Sequence, residues 1–86
     1  MVKLRLYGLI RAAAGKREIE ANGSTVLEAL HAAIDPLTDV RSLVFDEDGD
    51  IYPLMRVFVD NERVNDLGLK LEPGSVIHII PVVEGG

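Results

Sequence analysis

The residues best suited to chemistry stand at the end of the chain, where Val82-Val83-Glu84-Gly85-Gly86 follows an apolar run. A carboxylate on Gly86 has no side chain beside it, and Gly85 adds none. Lack of Cβ permits close backbone approach and dihedrals closed to other residues. Extended, the segment 82–86 reaches about 15–18 Å. A tail of that reach is expected to enter another protein's active site while the body docks outside. Val82 and Val83, apolar and extended, suit addition along a partner strand. An ionised carboxylate is a poor electrophile, so conversion to an acyl-adenylate is needed before sulfur or an amine attacks it. The chain shows no evident machinery for that step. Gly86 is expected to be the substrate, and the catalyst a partner.

Other candidates are weaker. His31 falls within a helical pattern and His78 within an apolar strand, and neither has a Ser–Asp or Cys partner nearby in sequence. Asp46, Asp48 and Asp50 alternate like calcium ligands. Gly49 precedes the third acid rather than following it, and Val57 stands where a bidentate Glu is needed. The stretch reads as a solvated loop, and no metal is expected. Gly8, Gly15 and Gly23 fit neither phosphate-binding glycine fingerprint.

Composition narrows the partners. Nine basic against 14 acidic side chains give a net charge of −5. Nucleic-acid binding rests on excess Lys and Arg, so none is expected. No apolar stretch approaches the roughly 20 residues that span a bilayer, and the alternating start is unlike a signal peptide. The expected location is the cytoplasm. Without cysteine, the chain can form no disulfide and offers no thiolate ligand or nucleophile.

These residues need elements to position them. Val2, Leu4 and Leu6 alternate with Lys3, Arg5 and Tyr7, the period of a half-buried strand. Residues 8–15 read as a loop pinned by Leu9 and Ile10. A short strand is expected at 16–21, with Ile19 inward and Asn22-Gly23 as a turn. Thr25-Val26-Leu27-Glu28 has capping-box spacing. Val26, Leu30, Ala33, Ile34 and Leu37 make one apolar helical stripe. Pro36 should push Asp35 out of helical geometry and end the helix. Residues 42–45 suit either a helical turn or a strand, and 46–50 a charged loop. A strand over 55–59 leads into a tight turn at 60–63, with a return beginning at Val64. Val76 to Ile80 reads as a central strand. The first and last strands are the most apolar, so they are expected to lie side by side, parallel, at the sheet centre. The class is α+β: a mixed sheet packed on one main helix, one domain over 1–81 and a tail over 82–86.

Several segments resemble the MoaD/ThiS sulfur carriers, relatives of ubiquitin. Residues 1–7 with Ile10-Arg11 and Gly15 look like the family's opening strand and loop, and Thr25-Val26-Leu27-Glu28-Ala29-Leu30 like its helix start. Val59-Asp60-Asn61-Glu62-Arg63-Val64 resembles its hairpin, and Leu71-Glu72-Pro73-Gly74-Ser75-Val76 its following turn. Ile79 to Gly86 corresponds to its closing segment. The extended 45–56 segment looks more like an archaeal and cysteine-biosynthesis-associated subgroup. The resemblance implies a β-grasp fold and a carrier, not an enzyme. It implies adenylation of Gly86 by a ubiquitin-activating-like adenylyltransferase using ATP and magnesium, then a thiocarboxylate that donates sulfur. In the molybdopterin branch the chain would be the small subunit of molybdopterin synthase, its tail inserted into the large subunit. Some archaeal members are instead joined to lysines of target proteins. Comparison with the family also implies a docking surface at Tyr7 and Ile80, with Arg63 nearby.

Overall fold

Alternation along the first strand and continuous apolarity along the last build the frame that the other elements cover. The computed structural model describes residues 1–82. Its elements run β1 (Val2–Leu6), α1 (Gly8–Ala14), β2 (Glu18–Ala21), α2 (Val26–Ile34), α3 (Thr38–Val44), β3 (Met55–Val59), β4 (Glu62–Arg63) and β5 (Val76–Pro81). The sheet order is β2-β1-β5-β3-β4. β1 and β5 pair in parallel, Leu4 opposite Ile77 and Leu6 opposite Ile79, as their apolarity led one to expect. The other pairings are antiparallel. Val2, Leu4, Leu6, Val57, Ile77 and Ile79 turn one face of this mixed sheet inward, where Ile10, Val26, Leu30, Ile34, Val40 and Val44 meet them.

The helix α2 starts where its capping box predicts. Glu28 N donates to Thr25 Oγ1, and Thr25 N donates back to Glu28 Oε1, both at 3.2 Å. Two further amides of its first turn, Val26 and Leu27, donate to the carbonyls of Leu69 and Leu67. That satisfies donors a helix start otherwise leaves open. The helix ends at Ile34, but Asp35 keeps helical dihedrals (φ −52°, ψ −38°) despite Pro36. Its amide still bonds the His31 carbonyl, and its carboxylate accepts from His31 and Arg41, which together outweigh the proline's steric bias.

Other expectations need correction. Residues 8–15 are not a loop: they hold the helix α1, which packs on α3 and β5. Ala12, Ala13 and Ala14 are the strongest helix formers, and Gly15 at φ 71° closes the helix in left-handed geometry. Ile10 anchors it while Leu9 stays exposed. Residues 42–45 finish the helix α3, with Phe45 already extended and bridged to Ile51. The turn after β3 is tighter than expected, with Asp60 at φ 54°, so the return strand β4 begins at Glu62 rather than Val64. Asn22-Gly23 is not a tight turn; Gly23 is required because a Cβ there would lie 2.5 Å from the Ala29 amide nitrogen.

Candidate functional site

The sheet delivers the chain end from its middle. β5, held between β1 and β3, runs to Pro81, and the Val82 amide donates to the Leu54 carbonyl at 2.8 Å. Val82 is half-buried. Val83, Glu84, Gly85 and Gly86, which carry the expected chemistry, lie outside the described residues. The start of α1 flanks this exit: a Cβ on Gly8, itself at φ 59°, would stand 3.0 Å from Pro81 Cγ. Both the dihedral and the approach favour glycine there.

Strand register also determines which side chains share the outer face. Arg5 pairs with Glu18 on one side and with His78 on the other, His78 with Phe58, and Phe58 with Arg63. A single row therefore crosses all five strands. In the next row Arg56 faces Ile80, and Tyr7 follows the Leu6–Ile79 pair, which places it beside Ile80. The register thus sets Tyr7 next to Ile80 on this face, the pair that comparison with the family implied as neighbours. Arg63 stands in the neighbouring row, separated from β1 by β3 and β5. Each strand step is about 4.8 Å, which puts Arg63 at the rim of the patch rather than against Tyr7.

Two residues of this face, Arg56 and Phe58, carry no mark in the sequence, and His78 is marked there only as a strand residue without a catalytic partner. The Tyr7 hydroxyl and His78 Nδ1 are 2.7 Å apart, with ring centroids at 5.8 Å. This partly buried bond pins the Tyr7 ring over β5 and joins positions 71 apart in sequence. Alternation along β5 had already put His78 on the same side as Ile80, and that was the available signal.

The other singled-out groups have structural partners. His31 stacks on Phe45 at 4.0 Å, and its two ring nitrogens each lie 3.0 Å from an acceptor, Asp35 Oδ1 and the Gly49 carbonyl. Asp35 stands four residues on along the helix, so this contact was visible in the spacing. With both nitrogens engaged, His31 clamps the 46–50 turn onto α2. In that turn Asp46 Oδ1 accepts from the amides of Asp48 and Asp50 at 2.9 and 3.0 Å. The three carboxylates come within 4.8 Å of one another; the hydrogen bonds of Asp46 account for its position as a turn residue. Of the titratable groups, Glu28 departs downward from its ordinary value, chiefly through the Ser24 hydroxyl bond. It belongs to the helix cap and not to the outer face.

No family model matches this chain, and no curated protein matches it in sequence. Solved structures do. SAMP1 from Haloferax volcanii is similar at 28% identity and TM-score 0.86, covering 99% of this chain and 98% of that one. A chain of the Amycolatopsis orientalis BexX/CysO complex matches at 24% identity and TM-score 0.83, each chain covered completely at 100%. Molybdopterin converting factor, subunit 1, from Pyrococcus furiosus matches at 25% identity and TM-score 0.61, over 95% of this chain and 97% of that one. The Haloferax volcanii protein is described as a small archaeal modifier protein, and the Amycolatopsis orientalis chain comes from a complex of two proteins. The likeness gives this chain a β-grasp, ubiquitin-like fold. Among the described residues, no helix is long and apolar enough to cross a membrane.

Proposed function

We propose that this chain, a MoaD/ThiS-like, ubiquitin-like β-grasp protein, acts as a sulfur carrier through the carboxylate of Gly86. The observation that carries this reading is the path of β5. The central strand of the sheet runs out at Pro81 and Val82, and the remaining residues end in Gly85-Gly86. A rigid body with its reactive end off the middle of a sheet suits a partner that grips the body and takes in the tail. A carboxylate oxygen of Gly86 attacks the α-phosphorus of ATP, held with magnesium by a ubiquitin-activating-like adenylyltransferase, and pyrophosphate leaves. Hydrosulfide from a sulfur donor then attacks the acyl carbon; the C–S bond forms as the C–O bond to AMP breaks, AMP leaves, and loss of the sulfur-bound proton gives the thiocarboxylate. Its acceptor in our reading is a molybdopterin precursor on the large subunit of molybdopterin synthase, with this chain as small subunit in the cytoplasm.

A second reading draws on a specific finding. The fit to SAMP1, described for Haloferax volcanii as a small archaeal modifier protein, is tighter than the fit to the molybdopterin converting factor subunit. In that reading a lysine amine attacks the same adenylate, AMP leaves, and an isopeptide bond links Gly86 to a target. Both readings fail together if the C-terminus is inert. Intact-mass spectrometry of the protein from its own host is the test, and an oxygen-for-sulfur exchange localised to Gly86 is the expected result. Lysine conjugates without that species favour the modifier. Deleting Gly86 abolishes both products. If the free carboxylate alone persists with enzyme, ATP and a sulfur donor supplied, sulfur carriage is wrong.

A further inference from the structure

Charge is divided unevenly along this acidic chain. Residues 1–17 hold five basic side chains (Lys3, Arg5, Arg11, Lys16, Arg17) and no acid, a charge of +5. Residues 18–86 hold the other four basic and all 14 acidic side chains, −10, which together give the −5 of the whole. Folding concentrates that contrast. Arg5, Arg11 and Arg17 line one concavity beside Tyr7, and Arg11, Lys16 and Arg17 line the adjoining one beside Gly8 and Gly15. All four basic side chains are exposed. Among the described residues, the acid that reaches into this group is Glu18, at 3.8 Å from Arg5 Nε and 3.9 Å from Lys3 Nζ. Both contacts are long for an ion pair and open to solvent.

The position of the patch points to its occupant. α1 carries Arg11 and begins against Pro81, where the tail departs. The four residues after Val82 extend at most about 14 Å. Any protein that holds residue 86 in an active site therefore has the rim of that site close to α1. We infer that Arg5, Arg11, Lys16 and Arg17 form a steering patch for a carboxylate-rich protein surface bordering the site that takes the tail. This inference rests on the tail reading given above and adds the chemistry of the partner's rim. Phosphate-rich polymers fit less well. A nucleic acid is longer than the patch and would run onto the remaining surface, whose net charge is −10. Exposed, long cationic side chains on an open surface raise encounter rates with an opposite charge, and salt screens them within a Debye length of about 8 Å.

The test uses the full chain and the purified adenylyltransferase of the same host, with carrier-dependent ATP–pyrophosphate exchange as the readout. In Arg11→Glu/Arg17→Glu, KM for the carrier rises about tenfold or more at ~0.05 M salt, with kcat unchanged. At ~0.5 M salt the variant and the parent converge, because the attraction is already screened. Arg11→Lys/Arg17→Lys keeps the parent KM, and circular dichroism confirms that both variants are folded. An unshifted KM at low salt in the folded Glu variant, with normal exchange by the parent, overturns the patch while leaving the carrier reading intact. Equally decisive against it is tight binding of a ~20 bp duplex that the Glu variant loses, which makes the patch a nucleic-acid site. No exchange by the parent chain removes the carrier reading, and this inference falls with it.

Discussion

The two faces of the sheet divide the protein's work. On the inner face Leu4, Leu6, Ile77 and Ile79 are at most 2% exposed, and helices cover them. On the outer face the alternating neighbours Lys3 and Arg5 are exposed, while Phe58, His78 and Ile80 are half-buried. The same strands supply both sets, because successive side chains point to opposite sides. The inner set is therefore constrained by the volume it must fill, a constraint the outer set largely escapes. Substitutions should separate accordingly: inner changes act on the melting temperature, and outer changes act on partner affinity.

The sharpest way to break this comparison is to truncate adjacent residues on β1. Leu4→Ala removes a fully buried side chain at the sheet centre and should cost about 3 kcal/mol. For a domain this size that lowers Tm by roughly 12–20 °C in differential scanning calorimetry. Lys3→Ala, one residue away, should stay within about 0.5 kcal/mol of the parent. Comparable losses at both positions would mean that the faces are not separate.

Tyr7 probes the boundary between the faces. Tyr7→Phe keeps the ring and removes the hydroxyl that meets His78 at 2.7 Å. The expected cost is about 1 kcal/mol, typical of one partly buried hydrogen bond. NMR of the His78 ring should show the larger response, because Nδ1 loses its partner. If neither Tm nor the His78 spectrum changes, the bond does not hold Tyr7 in place, and the outer patch is looser than the geometry implies.

Much of this division was legible in the sequence, for reasons that differ by element. β1 and β5 were readable because alternation and continuous apolarity are local. The capping box was readable because Thr25 and Glu28 are three apart. α1 was missed because one residue, Ile10, is buried, so there is no stripe to read. Its N-cap, Tyr7, offers no side-chain hydrogen bond, and its flanking glycines imitate a loop. α3 left a better trace that went unread: Val40 and Val44, four apart, are its buried pair. The Tyr7–His78 bond was out of reach of any local rule, since topology alone brings the ends of β1 and β5 together. The basic cluster at the tail exit was present in the first 17 residues all along. A whole-chain charge of −5 conceals it, and the fold turns it into a patch by seating α1 against the end of β5.

The smallest expected effect lies at the start of α2, away from both faces, and so marks what a purely local interaction contributes. The Glu28 carboxylate is held below its ordinary value of 4.5, first by the Ser24 hydroxyl and then by backbone bonds from Thr25 and Ser24, with slight burial opposing them. A carboxyl whose folded value is depressed stabilises the fold above its unfolded value, and that contribution is lost as pH falls through the folded value. Glu28→Gln should therefore melt slightly below the parent near pH 7, and the gap should close as pH falls through the folded value, where the parent's carboxyl also loses its charge. A gap that stays constant between those values would assign the cap's worth to shape rather than charge. The Thr25 hydroxyl, which accepts from the Glu28 amide at either pH, would then be the part of the box that matters.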